Sequence, residues 1–169
     1  MLNVVIYIDL VMTQEDKELL LKDLCARLPY DVKIHANDTN VDIEKVGVLS
    51  MVDNDAVIAF TCDDENTYNY VTIHEVQPYL FPLSSMTEEQ ERELIALTGY
   101  KSECEAYCGF DSMGYYIKAV GEFEYEEGEH SFMFYPDYVG IDWFNKNHFD
   151  YRGLIEKGLA IDATNLNIY

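Results

Sequence analysis

Residues 31–76 fall into four short runs of strand length that are separated by polar turns. The runs cover residues 31–36, 41–51, 56–62 and 68–76. Residues 31–36 and 68–76 alternate between apolar and polar side chains, and residues 56–62 form a continuous apolar run. Alternation with a period of two predicts strands that bury one face, and the intervening Asp- and Asn-rich stretches are typical of turns. Turns this short join antiparallel strands, because parallel neighbours need a long crossover. The segment therefore predicts a four-stranded antiparallel meander.

Two segments with helical spacing flank the meander. Residues 13–28 place several leucines on one side, and we expect Cys25 to lie with them as a small core residue. Residues 87–98 begin with a capping box, in which Thr87 and Gln90 satisfy each other's backbone N–H groups. These segments are the two principal helices of the prediction.

The remaining chain gives weaker patterns. Pro78 and Pro82 predict the end of the sheet, because proline cannot donate a ladder hydrogen bond. Residues 115–125 and 131–135 predict a hairpin, whereas the pattern from 100 to 112 is indistinct. Short helical turns are expected at 141–147 and 153–158. The sequence thus predicts an α+β fold: a mainly antiparallel sheet with two principal helices and short C-terminal helical turns.

The length of 169 residues is typical of one domain. We interpret residues 12–169 as a single α+β domain and residues 1–11 as an N-terminal extension or an edge strand. The apolar run near the N-terminus is short, contains Asp9 and lacks a basic leader, so it predicts neither a signal peptide nor a membrane span. We therefore expect a cytoplasmic protein that does not bind membranes.

The formal net charge of −21 restricts the possible partners. Residues 46–91 contain no Lys or Arg but nine Asp and Glu, and residues 119–145 repeat this bias with seven acids. Binding to the phosphate backbone of a nucleic acid requires Lys and Arg to displace counterions. Direct nucleic-acid binding is therefore not expected, and a protein is the predicted partner. The acidic stretches are otherwise typical of solvated faces and loops.

No recognisable catalytic or metal-binding motif occurs. Cys104 and Cys108 form a single C-x-x-x-C pair without a second pair, and zinc sites usually need both. His35 and His74 fall in predicted strands, where a structural role is more common than metal ligation. The acidic residues at 63–66 lack the ligand spacing of an EF-hand loop. We expect no catalytic residue, no metal and no cofactor.

The C-terminal block 142–155 has the only Trp of the chain, interleaved with other aromatic residues. We expect Trp143 and Phe149 to be buried. The residues after them form the candidate recognition surface, which consists of His148, Asp150, Tyr151 and Arg152. Arg and Tyr dominate binding hot spots, and the polar residues 145–147 should bring the chain to the solvent, leaving His148 and Tyr151 partly exposed. The alternative is structural, with Asp150 and Arg152 stabilising the turn.

Six segments together resemble an uncharacterised family of small acidic proteins from anaerobic gut bacteria, their prophages and mobile elements. They are LLKDLCARLPY at 20–30, EVQPYL at 75–80, PLSSMTEE at 82–89, DW at 142–143, HFDYRGLI at 148–155 and GLA at 158–160. Members of that family tend to begin near the equivalent of Met12. The family has no known function, so the resemblance implies a setting in phage or mobile-element biology and no catalytic residue.

These observations favour a non-enzymatic, cytoplasmic protein-binding module of bacterial or mobile-element origin. A first alternative is an acidic nucleic-acid mimic whose carboxylates occupy the basic groove of a host or defence DNA-binding protein. A second is an enzyme of unrecognised type that uses His148 or a Cys. A deep pocket in which His148, Asp150 and Arg152 converge would favour it. The distribution of carboxylates over the folded surface distinguishes the first alternative from the module.

Overall fold

The computed structural model describes residues 12–38, 43–53, 57–62, 68–97, 105–111, 114–122 and 129–169, and the predicted extension at 1–11 lies outside them. These ranges contain three α-helices and nine strands. The helices are α1 (Gln14–Arg27), α2 (Glu88–Leu97) and α3 (Tyr138–Lys146). The strands are β1 (Lys33–Asp38), β2 (Ile43–Val52), β3 (Val57–Thr61), β4 (Tyr68–Thr72), β5 (Val76–Leu80), β6 (Glu105–Asp111), β7 (Gly114–Glu122), β8 (Glu129–Phe134) and β9 (Ile161–Asp162).

Six strands form one sheet in the order β4-β3-β2-β1-β5-β9. Strands β1 to β4 pair antiparallel with their sequence neighbours, which confirms the predicted meander. Strand β5 joins the other side of β1 in antiparallel register, and the short β9 pairs parallel with β5. The fold is therefore α+β with a mainly antiparallel sheet, as the sequence predicts.

The six-stranded sheet is curled. Thr72 at the end of β4 and Val76 at the start of β5 are four residues apart, so at most about 14 Å separates them. In a flat sheet the four strand spacings between β4 and β5 would amount to about 19 Å. A bulge between Leu49 and Met51 lets β2 bend. Gly47 lies where a Cβ atom would be 2.6 Å from the Phe60 ring, so the lack of a side chain allows this close packing.

The concave side of the sheet holds the main core. Helix α1 contributes Leu20 and Leu24, which pack against buried residues of every strand from β1 to β5. Thr13 caps the start of α1 by accepting a hydrogen bond from the backbone N–H of Asp16 (3.1 Å). Cys25 is exposed, so the expectation that it packs in the core is wrong. It follows Leu24 directly and is therefore about 100° further around the helix.

A second core lies between α2, α3 and the three-stranded antiparallel sheet β6-β7-β8. Its buried members are Leu94, Ile117, Trp143, Phe144 and Phe149. The predicted capping box of α2 is present, with Thr87 N–H donating to Gln90 Oε1 (2.9 Å) and Gln90 N–H donating to Thr87 Oγ1 (3.3 Å). None of the described helices is long and apolar enough to cross a membrane.

Several local predictions are wrong. Pro78 does not end the sheet but lies within β5 opposite Ile34. Strand β5 pairs with β9 only from Tyr79 onward, so the proline lies next to the unpaired start of the strand, where a missing N–H is tolerated. The predicted strand 68–76 ends at Thr72, and His74 lies in the 3-10 turn that follows rather than in a strand.

Two further differences concern the second half of the chain. Strand β6 occupies part of the segment 100–112, in which no clear pattern was expected. Its strand conformation follows from pairing with β7 rather than from local alternation. The predicted helical turn at 153–158 is a series of non-helical turns. Gly153 and Gly158 have φ values of 72° and 70°, a conformation incompatible with a right-handed helix.

Candidate functional site

The four residues of the predicted recognition surface lie directly after α3. Asp150 is buried, and its carboxylate accepts hydrogen bonds from the backbone N–H groups of Leu154 (2.9 Å) and Ile155 (2.8 Å). This aspartate therefore holds the following turn in place. Trp143 and Phe149 are buried, as predicted, with their rings stacked at 5.6 Å.

Arg152 does not pair with Asp150. Its Nε donates to Asp23 Oδ1 (3.1 Å) in α1, and its guanidinium lies 4.6 Å from the centre of the Tyr151 ring. Tyr151 is half-buried, as predicted, and its hydroxyl donates to Asn145 Oδ1 (3.1 Å). Burial raises the pKa of Tyr151, against the effect of the nearby Arg152 charge.

A buried ion pair beneath this cluster was not predicted. The Asp23 and Arg27 side chains are completely buried, with Arg27 Nε 2.7 Å from Asp23 Oδ2. The Arg27 guanidinium also donates to the carbonyl oxygens of Phe149 (2.7 Å) and Phe144 (3.5 Å). Asp23 and Arg27 therefore connect α1 to the C-terminal block. The available signal was their i, i+4 spacing on the helical face that also carries Leu20 and Leu24.

His148 has an unusual backbone and an unusual environment. Its φ of 58° is left-handed, which is rare for a residue other than glycine. Its ring is partly exposed, as predicted, and stacks on the Tyr169 ring at a centroid distance of 4.2 Å, while Nδ1 is buried without a hydrogen-bond partner. Burial, reinforced by the Arg27 charge and opposed by Asp31, lowers the pKa of His148 to about 4. The imidazole is therefore neutral near pH 7.

Neither of the two cavities described here brings the four predicted residues together. A cavity of about 290 Å³ is lined by Asp150 together with Leu83, Gly153 and Glu156, but its lining includes neither His148 nor Arg152. Most polar groups of this cluster are engaged in internal hydrogen bonds. A role of this surface in recognition stays a prediction.

A larger cleft of about 540 Å³ lies beside the start of β5 and includes His35 and His74 in its lining. Its other polar groups are partly engaged with each other. Lys157 Nζ lies 3.5 Å from Asp16 Oδ1, and Gln77 donates to the carbonyl oxygen of Gly158 (2.7 Å). No group of three His, Cys, Asp or Glu residues suited to a metal ion occurs among the described residues. The C-x-x-x-C pair and the acidic turn at 63–66 largely lie outside them.

The convex side of the sheet presents a surface on β2, β3 and β4 whose members are uncharged, and Lys33 of β1 lies beside it, opposite Val48. Cross-strand pairing brings Met51, Ala59 and Tyr70 into one row and Val48, Thr61 and Tyr68 into the next. We call this surface the open face, and its members alternate with the core residues of the same strands. It consists of Val46, Val48, Met51, Val57, Ala59, Thr61, Tyr68, Tyr70 and Thr72, of which Ala59 is buried (1% exposed).

The two tyrosines are the most exposed of the large side chains in the open face. Tyr68 is 61% exposed and Tyr70 is 60% exposed, while Val46 and Met51 are each 40% exposed. Asp and Glu make up 32 of the 169 residues, yet no member of this face is charged. A contiguous exposed apolar surface commonly marks an interaction site, and aromatic residues are enriched in protein interfaces.

No protein-family model, curated protein or solved structure matches this chain. The resemblance of its six segments to the family of small acidic proteins therefore stays a prediction. The functional argument accordingly rests on the geometry of the described residues.

The open face was missed in the sequence because its residues come from three strands. Alternation places Tyr68 and Tyr70 on one side of β4. Residues 56–62 are apolar on both sides, and Met51 shares a side with Val46 and Val48 only because of the bulge in β2. Which side would be covered by a helix depends on where α1 packs, and that contact is not local. The two tyrosines at alternate positions of an otherwise polar run were the one available signal.

Proposed function

We propose that this chain is a non-enzymatic protein-binding module that contacts its partner through the open face. The observation that carries the proposal is an uncharged surface with two exposed tyrosines, Tyr68 and Tyr70, in a chain whose net charge is −21. Exposing this apolar area to water is unfavourable, and covering it with a partner removes that cost. On the sequence of its N-terminus we place the module in the cytoplasm, and on the resemblance described above we assign it a bacterial or mobile-element origin.

The chemistry of the open face favours a protein over a nucleic acid as its partner. None of its members is Lys or Arg, and Lys33 at its margin adds one positive charge, whereas binding along a phosphate backbone uses several. The open face also contains no carboxylate, so it gives no support to nucleic-acid mimicry at this surface. The acidic remainder of the chain raises the rate of encounter with basic proteins, because complementary long-range charge steers association.

A comparison of three tagged baits tests the proposal in a lysate of the organism that encodes the chain. The first is the unmodified chain and the second carries Tyr68→Ser together with Tyr70→Ser. The third carries Tyr138→Ser, which removes a tyrosine that is 83% exposed at the start of α3, away from the open face. Circular dichroism first establishes that all three are folded.

We expect at least one protein to be retained by the unmodified chain and by Tyr138→Ser but lost from the double variant, as measured by quantitative mass spectrometry. Purified components should then reproduce the interaction with a Kd that the double variant weakens by at least about tenfold, which is 1.4 kcal/mol. Equal retention by all three folded baits would refute binding through the open face.

A further inference from the structure

Strand β4 forms one edge of the six-stranded sheet, and the backbone groups that it leaves unpaired can be identified. Both backbone groups of Val57 in β3 point toward β2: its carbonyl oxygen accepts from Asp53 N–H (3.1 Å), and its N–H donates to Asp53 Oδ1 (2.9 Å). In an antiparallel strand the N–H and C=O of one residue point to the same side. Val57 therefore does not bond to its β4 partner, Thr72.

A second hydrogen bond confirms that the backbone N–H of Thr72 points away from β3. Its N–H donates to Glu75 Oε2 (2.9 Å) rather than to β3. Since the direction alternates along a strand, the N–H and C=O groups of Tyr68 and Tyr70 also point away from β3. Those of Asn69 and Val71 point toward β3. In the part of the chain described, no strand pairs with β4 on its outer side.

Within the described residues, β4 itself lacks the usual protection against pairing. Natural edge strands carry Lys, Pro or a bulge that disfavours the addition of another strand. The sequence of β4 is Tyr-Asn-Tyr-Val-Thr, with no charge and no proline, and the bulge of this sheet lies in β2. The same two tyrosines thus present both their side chains on the open face and their free backbone groups at the edge.

Charge decides between the possible occupants of the edge. Strand β4 lies within residues 46–91, which contain nine acids and no Lys or Arg. A second copy of the chain would bring two such acidic regions together, and like charges at close range oppose association. A basic segment would be attracted instead.

Building on the function proposed above, we infer that β4 accepts an extended segment of a basic partner protein as an added strand. Its main chain pairs with the N–H and C=O groups of Tyr68 and Tyr70. Alternate apolar side chains of the segment extend the open face, while Lys or Arg residues between and beside them meet the acidic surroundings. This is recognition by β-augmentation, in which the main chain supplies affinity and alternate side chains supply specificity.

Amide hydrogen exchange of the full chain, followed by NMR, tests the inference residue by residue. The probe is a synthetic peptide of about seven residues in which Lys and Val alternate, a typical strand length. With peptide present at up to about 1 mM, where binding is worth roughly 4 kcal/mol, the amides of Tyr68 and Tyr70 should exchange more slowly. The amides of Asn69 and Val71 already bond to β3 and serve as the internal control.

Two control peptides separate the main-chain contribution from the charge contribution. A peptide with N-methylated valines cannot donate from those positions, and we expect no protection. A peptide with Glu in place of Lys should protect at least about tenfold less at equal concentration. No protection of Tyr68 and Tyr70 by the Lys–Val peptide, or equal protection by either control, would overturn the inference. A dimer that forms through β4 in sedimentation equilibrium would also overturn it, in favour of a second copy.

Variants at Tyr70 distinguish the edge from the open face. Tyr70→Pro removes an N–H that points away from β3, so the ladder to β3 keeps its hydrogen bonds, whereas Tyr70→Ser removes the ring and keeps the N–H. We expect Tyr70→Pro to bind the peptide at least about tenfold more weakly than Tyr70→Ser. Equal binding by the two would overturn pairing at the edge, yet would leave the open face as the binding surface. If Tyr70→Pro does not fold, the N-methylated peptide with the unmodified chain decides.

Discussion

Replacing Arg27 with Met should strongly destabilise the fold, because Arg27 links α1 to the C-terminal block. The substitution removes the donor to Asp23 Oδ2 at 2.7 Å and to the Phe149 carbonyl oxygen at 2.7 Å. Asp23 would remain fully buried with Arg152 as its remaining charged partner. Breaking a buried pair in this way costs about 3–5 kcal/mol. That is a large part of the 5–15 kcal/mol that is typical of whole domains.

Guanidinium denaturation monitored by circular dichroism and by Trp143 fluorescence measures this loss. The matched control is Arg92→Met. Arg92 also lies four residues after an acid, Glu88, but its side chain is 75% exposed and its guanidinium is 3.7 Å from the Glu88 carboxylate, which is a looser contact. An exposed pair of this kind contributes about 0.5 kcal/mol or less. For the Arg27→Met variant, we expect the guanidinium concentration at the unfolding midpoint to be well below that of Arg92→Met.

A double variant tests whether the cost arises from the charge left behind. Asp23→Leu combined with Arg27→Met removes both buried charges, and apolar replacement of a buried ion pair is often close to neutral. The partly exposed Arg152 then turns to the solvent. The double variant should therefore be more stable than Arg27→Met alone. A cost below about 1 kcal/mol for Arg27→Met, or a double variant as unstable as the sum of the single variants, would refute this account.

Three further predictions concern the remaining features. Trp143→Ala should lower the free energy of unfolding by about 3–5 kcal/mol, because it empties a large buried aromatic site. Chemical denaturation followed by circular dichroism measures this loss, and an unchanged denaturation midpoint would contradict the packing. Because the pKa of His148 is lowered to about 4 from 6.5, its neutral form stabilises the fold fully above pH 6.5 and this contribution is lost as the pH falls toward 4. Between pH 6.5 and about pH 5, the free energy of unfolding of the unmodified chain should fall by about 1 kcal/mol more than that of His148→Asn. Asparagine tolerates the left-handed backbone and does not titrate. Parallel profiles of unfolding free energy against pH would contradict this. The net charge of −21 predicts that the melting temperature rises between low salt and about 0.5 M NaCl, since salt screens the repulsion; a flat or falling trend in a thermal melt would mean that the acids are already compensated.

The features that the sequence predicted correctly are those determined by local chemistry. The capping box of Thr87 and Gln90 involves residues three apart, so it was visible in the sequence and is present at the start of α2. The meander of β1 to β4 follows from alternation and short turns. The burial of Trp143 and Phe149 follows from their size and apolar character. Each of these signals lies within a few residues.

The features that were missed depend on contacts between distant segments. Pro78 is tolerated in β5 because of the position at which β9 begins to pair, and β9 lies about eighty residues further along the chain. Nor can the sequence identify β4 as an edge, because β5 could have paired with it instead of with β1. The partner of Arg152 likewise lies in α1, 129 residues away, whereas local reasoning suggested Asp150.

The buried contact between Arg27 and the Phe149 carbonyl oxygen has a consequence for synthesis of the chain on the ribosome. The two residues are 122 positions apart, and translation proceeds at about 5–20 residues per second. Arg27 therefore leaves the ribosome about 6–24 s before the Phe149 carbonyl group that accepts from it. During this interval the leucines of α1 and its buried ion pair lack their final environment. The native fold is therefore completed only after residue 149 has emerged, and until then the apolar face of α1 is accessible to chaperones that bind such segments.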